Sequence, residues 1–248
     1  MSMITAIAGN ELRRLFVSPL AWLALGVVQL VLAIFFFVMM YQFQNIAGAM
    51  QSGATNFVGS GVLQVTGIVL LLVAPFLTMR LFSDEYRSGS LKLLLSSPVT
   101  LTQIVLGKFI GIFSFFLIML AMIALMPLSL ALGTTPDYGQ IAAGLLGLAL
   151  LMAAFAAVGL FISSLTAQPA VAAISTFAVL FILWILNLAA SSASEHVAEI
   201  LSYLSLLAHY NALLQGMFNS VDVVFYLQLT ILFLILTLWR LDAERLYG

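Results

Sequence analysis

Charge is what this sequence has least of. Only 7% of its 248 residues are Asp, Glu, Lys or Arg, against roughly a quarter in an ordinary soluble domain, while 64% are hydrophobic. A water-soluble sphere of this size has no interior large enough to hide that much apolar surface. Helices facing hydrocarbon need only pair their backbone groups internally, so the bilayer is the natural solvent. The formal net charge is -1 with no long run of one sign. That excludes a nucleic-acid partner, whose phosphates demand a basic face. Cysteine is absent, and with it disulfides, thiolate metal sites and a cysteine nucleophile. Histidine occurs only at His196 and His209, so a His-Glu-x-x-His site cannot be built, and no Gly-x-Ser-x-Gly is present. An intramembrane metalloprotease or serine hydrolase therefore lacks its parts.

What the sequence has is long apolar runs. A helix needs about 20 mostly apolar residues to cross roughly 30 Å of hydrocarbon. Six stretches qualify: 20–41, 61–79, 109–132, 141–163, 170–188 and 223–239. None contains an ionisable side chain, which argues against an ATPase-independent, ion-coupled carrier, because such carriers place a titratable group inside the membrane. The expected fold is all-α and integral to the membrane, one transmembrane domain over 1–248. Ala47-Gly48-Ala49 after the first run has the look of a signal-peptidase site, but the run exceeds the usual 7 to 15 residues of a signal and reads as a retained span.

Basic residues set the orientation. Arg13 and Arg14 precede the first span, Arg80, Arg87, Lys92 and Lys108 lie between the second and third, and Arg240 and Arg245 follow the sixth. The opposite loops hold Asp137, Glu195, Glu199 and Asp222 and no Lys or Arg. Both termini and the 80–108 loop are thus expected in the cytoplasm.

Before the first span, residues 2–17 place Ile4, Ile7, Ala8, Leu12, Leu15 and Phe16 at helical spacing, with Glu11, Arg13 and Arg14 largely opposite. An interfacial amphipathic helix on anionic lipid fits this pattern, as does a simple basic flank that orients the first span. The 80–108 loop concentrates charge and turn residues. Arg80 to Arg87 extends the second helix and Gly89 ends it. Leu91, Leu94 and Leu95 then share one side of a short helix that Pro98 stops, either as an apolar knob for a partner's groove or as a connector lying on the membrane. Thr100 with Gln103 predicts a capping box for the third span.

The stretch Phe82-Ser83-Asp84-Glu85-Tyr86-Arg87-Ser88-Gly89-Ser90-Leu91, then Leu93-Leu94-Leu95-Ser96-Ser97-Pro98-Val99 and Gly107-Lys108, resembles the coupling region of ABC-2 type permeases, the membrane subunits of many bacterial ABC exporters. The resemblance takes in the amphipathic segment, the six spans and an outer segment between spans five and six. It is nearest to the branch associated with gliding motility and nitrous-oxide-reductase maturation, through Tyr203-Leu204-Ser205-Leu206, His209-Tyr210, Gly216, Asp222-Val223 and Tyr226-Leu227. Lys92 departs from that pattern, which has an acidic residue there.

The resemblance implies an ABC-2 (type V exporter-like) architecture in a bacterial inner membrane. It also implies a second permease copy, two ABC ATPase subunits, and an ATPase-coupling element of Asp84, Glu85, Arg87, Ser88, Gly89, Leu91, Lys92, Leu94 and Leu95. ATP and Mg would be bound by the partner, with no cofactor in this chain. Gly107-Lys108 fails as a phosphate loop, with Thr102 where glycine is needed and Phe109 where Ser or Thr is needed.

The outer segment 191–220 is too polar at its ends to cross separately and is expected to dip into the outer leaflet. His209, Tyr210 and Asn211 there suit an outer gate or docking surface for an accessory protein, or pairing with backbone at a helix break. Glu195, His196 and Glu199 cluster without a further ligand and read as a solvated loop rather than a metal site. Ala149, Ala153 and Ala157 offer a smooth packing strip.

Overall fold

The computed structural model describes residues 3–45, 53–91, 99–133, 135–190 and 194–247. Among them every regular element is helical. Helix α1 (Met3–Val17) leads into α2 (Pro19–Asn45). A π-helical turn (Thr55–Gly59) opens α3 (Ser60–Thr78), which continues through a turn at Met79 into α4 (Arg80–Ser88). Then follow α5 (Leu101–Ser129), α6 (Tyr138–Ser163), α7 (Pro169–Ala190), the short pair α8 (Glu195–Leu204) and α9 (Leu206–Leu214), and α10 (Ser220–Tyr247).

Six of these are long and apolar enough to span a bilayer. The second, Thr55–Ser88, has 34 residues. At 1.5 Å per residue it measures about 51 Å, so its charged α4 end must project beyond a hydrocarbon core of roughly 30 Å. Helices α8 and α9 form a bent pair, turning by 70° at Ser205.

Local chemistry sets the boundaries. Gly89 ends α4 in the left-handed region, φ 72°, where a side chain would be strained. Thr100 caps α5 as a full capping box: its hydroxyl accepts from Gln103 N and Gln103 Oε1 accepts from Thr100 N, as the sequence predicts. The Asp137 carboxylate caps α6, accepting from Gly139 N and Gln140 N.

Helix α6 is the hub. It packs against α3, α5, α7, α9 and α10, and 72% of its apolar window is buried within the chain, against 22% for α2. Gly and Ala make up much of α6, and small residues allow close helix approach where lipid gives no hydrophobic drive. The expected alanine strip is only partly the packing face. Ala157 is fully buried, but Ala149 and Ala153 are half-exposed, while Ala154 and Ala156 on the adjoining faces are completely enclosed. A helix surrounded on several sides buries most of its circumference, which a single stripe does not anticipate.

Candidate functional site

The charged end of the bundle holds a buried junction of three helices. Helix α1 lies along α5 because α5 carries glycine at 107 and 111. A Cβ at Gly107 would stand 2.7 Å from Ile7 Cβ, and one at Gly111 would stand 2.7 Å from Glu11 Cβ. That close approach delivers the Glu11 carboxylate to Lys108. The Lys108 Nζ is 2.5 Å from Glu11 Oε1, 2.6 Å from Glu85 Oε1 on α4, and 2.8 Å from the Leu81 carbonyl oxygen. All three ammonium protons are thereby used, and Nζ also sits 5.0 Å from the Phe82 ring centroid. Lys108 is 1% exposed and Glu11 6%. The sequence reading put Glu11 on the polar face of α1. The structure turns it inward, because a buried ammonium on α5 needs a counter-charge.

The junction is asymmetric. Glu85 Oε2 is buried without a hydrogen-bond partner among the described residues. Desolvation pushes the Glu85 carboxyl above its ordinary range, with the Lys108 ammonium pulling it back down as the next largest influence. Beside this centre, Arg14 on α1 donates to Asp84 on α4 at 2.7 Å, in a half-exposed pair. Arg13 is exposed. Tyr86, on another face of α4, buries its hydroxyl without a partner among the described residues, and that burial raises its pKa.

Arg87, Ser88 and Gly89 are exposed at the end of α4, where the Ser88 and Ser90 hydroxyls are 2.8 Å apart. Leu91 corrects the knob reading: it is 3% exposed and belongs to the main hydrophobic core, so it cannot fill a partner's groove. An apolar side chain at the root of the loop finds a closer partner in its own bundle. Lys92, Leu94 and Leu95 lie outside the described residues.

At the other end of the bundle a second buried polar contact closes the outer segment. His209 on α9 sets Nδ1 2.6 Å from Asp222 Oδ1 at the start of α10, and its Nε2 donates to the Tyr203 carbonyl at 2.9 Å. Its ring stacks on Phe225 at 4.2 Å between centroids. Tyr210 is fully buried and its hydroxyl donates to the Leu63 carbonyl at 2.6 Å, while the Tyr226 hydroxyl donates to Leu206 O at 2.8 Å. Of the expected outer trio, His209 and Tyr210 are therefore turned into the bundle. Asn211 alone is half-exposed, beside a polar pocket of about 340 Å3 shared with Asn56 and Gln64.

Sequence reasoning passed over the burial of Lys108 and the pairing of Asp222 with His209. The four-residue spacing of Gly107 and Gly111 signalled the first. No local pattern signals the second, since its partners come from two helices.

No sequence among curated proteins matches the chain. Residues 5–246 match the family described as ABC-2 family transporter protein. That match runs through the junction, the six apolar helices and the outer pair alike, and with it the chain is a multi-pass membrane protein belonging to the ABC-2 transporter family.

Proposed function

We propose that this chain is the permease subunit of a bacterial exporter whose ATPase resides in a separate polypeptide. In this reading work enters at the 80–108 loop and reaches the spans through the Lys108 junction. The observation that carries the reading is Lys108 itself, a buried ammonium that joins α1, the projecting end of the second span and the start of the third. A push on the loop cannot move one of these helices alone without exposing or orphaning a charge. Breaking a buried ion pair by removing one partner costs about 3 to 5 kcal/mol, so the three helices move together.

The partners in this reading are two ABC ATPase subunits, which bind ATP and Mg, and a second permease copy. Asp84, Glu85, Arg87, Ser88 and Gly89 form the coupling element on this side, continued by Lys92, Leu94 and Leu95. Leu91 anchors that element instead of docking. The chain itself is non-catalytic. The basic residues support an inner-membrane topology with both termini in the cytoplasm: if the bent α8–α9 pair crossed as a seventh span, Arg240 and Arg245 would be parted from Arg13 and Arg14. The α8–α9 pair is therefore read as re-entrant from the outer side, held by His209. The resemblance of residues 203–227 favours the gliding-motility and nitrous-oxide-reductase-maturation branch, and with it an outer-face or accessory partner.

Affinity purification from native membranes in mild detergent, with mass spectrometry, tests this. An ABC ATPase subunit co-purifies with the wild type and is lost from Leu94→Asp at equal permease abundance. Absence of any ATPase under several gentle conditions refutes the reading.

A further inference from the structure

Helix α2 is the least enclosed of the six spans, and its neighbour α5 is also mostly open, with 22% and 33% of their apolar windows buried within the chain. An open apolar face is ordinary in a bilayer, because acyl chains cover it as well as protein does. One group on this face has a need that acyl chains cannot meet. The side-chain amide nitrogen of Gln29 is buried without a hydrogen-bond partner among the described residues. Gln29 lines a groove of about 350 Å3 between α2 and α5, with Ala33 and Phe37 on its own side and Met122, Leu125 and Met126 opposite.

Depth decides what can reach that amide. From Pro19, where α2 starts, to Gln29 the helix rises about 15 Å, half of a hydrocarbon core of roughly 30 Å. Water and lipid headgroups are absent at that level, and acyl chains carry no acceptor. The acceptor has to come from protein.

Shape decides which protein. The groove is concave, and a second copy of this chain would present the same concave face, so two copies meeting here about a two-fold axis would enclose a void. A single helix is convex and fits. Gly26 and Ala33 stand three residues before and four after Gln29, on the same face of α2. Gly26 is exposed, with open space where a Cβ would be, so another backbone can approach the amide closely. The methionines of the far wall are unbranched and adapt to the side chains of whatever lies against them.

We propose that this groove seats one membrane-spanning helix of a partner protein, carrying a Ser, Thr, Asn or Gln half-way across the bilayer whose side-chain oxygen accepts from Gln29. Small residues for close approach and polar residues for hydrogen bonds are what join spanning helices where lipid supplies no hydrophobic drive. The docking requires only that the chain spans a bilayer, and it would survive failure of the ATPase reading.

The test uses labelled synthetic leucine–alanine helices of about 20 residues, one with Asn at its centre and one with Leu there, and the full-length protein in lipid vesicles, with binding read by energy transfer. Wild type binds the Asn helix about tenfold more tightly than the Leu helix. Tenfold is about 1.4 kcal/mol, the size of one interhelical hydrogen bond in a membrane. Gln29→Met removes that preference and leaves the Leu helix bound as before. Ala33→Phe, which keeps the amide but fills the groove, weakens both helices. Because the amide nitrogen bonds nothing within the described chain, Gln29→Met leaves the melting temperature of the protein alone unchanged or raises it.

Equal binding of the two helices by wild type overturns the proposal, as does an Asn preference that persists in Gln29→Met. A melting temperature lowered by Gln29→Met shows the amide already bonded within the chain and also overturns it. So does energy transfer between two differently labelled copies of the protein that Gln29→Met abolishes, which makes this face an interface between copies.

Discussion

The two ends of this bundle solve one problem differently. At each, a short helix must be fastened to the spans, and at each a buried side-chain nitrogen meets a carboxylate. The fastening beside the 80–108 loop uses lysine, whose ammonium at 108 faces two carboxylates, one of them with an oxygen unpartnered among the described residues. The fastening at the other end uses histidine against one carboxylate and one carbonyl, with no atom of the pair orphaned among the described residues. The joint at Lys108 therefore leaves one buried carboxyl oxygen without a partner among the described residues, and the joint at His209 is a closed latch.

The largest loss is expected from Lys108→Met. Glu85 is then left buried with no partner among the described residues and Glu11 keeps only its 3.9 Å contact with Arg14; stability falls by about 3 to 5 kcal/mol, read as a lowered melting temperature or loss of folded protein from membranes. The matching change at His209, Asp222→Asn, costs less, about 1 to 3 kcal/mol, because it removes one hydrogen bond and leaves the His209 bond to the Tyr203 carbonyl in place. Equal losses in the two variants would erase the distinction between the ends.

Stability at the Lys108 junction also depends on pH. The folded-state pKa of Glu85 is raised above its unfolded value near 4.5. The folded protein therefore holds more protons than the unfolded chain between that value and the raised one, and stability declines as pH rises through this window. Glu85→Gln removes that slope, so melting curves of wild type and variant diverge as pH rises out of the acid range. The smallest effect belongs to Asp84→Asn. Its half-exposed pair with Arg14 contributes no more than about 1 kcal/mol, and less at high salt.

The bundle was legible in the sequence for a simple reason: in hydrocarbon, length and hydropathy nearly determine a spanning helix, and six such helices are present. Gly89 and the Thr100–Gln103 box were legible because caps are local chemistry. The junction was legible only in its members. Glu11, Glu85 and Lys108 were each visible as charges near span ends, yet their meeting depends on two glycines of α5 accepting α1. Leu91 misled because a leucine at helical spacing looks the same whether its groove lies in a partner or in its own bundle. His209 stood out as a rare residue, but Asp222, thirteen residues away across a helix break, had no pattern to connect it.

In the proposed function the Lys108 junction transmits work between an ATPase and the spans. The direct measurement is ATP hydrolysis by the purified permease–ATPase complex in nanodiscs, comparing wild type with a neutral triple variant, Glu11→Gln, Glu85→Gln and Lys108→Met. Replacing all the charges together avoids the penalty of orphaning one, so the variant folds and keeps its ATPase. Transmission through the junction predicts an intact complex whose hydrolysis falls to the rate of the isolated ATPase subunit. An intact complex hydrolysing at the wild-type rate would contradict it.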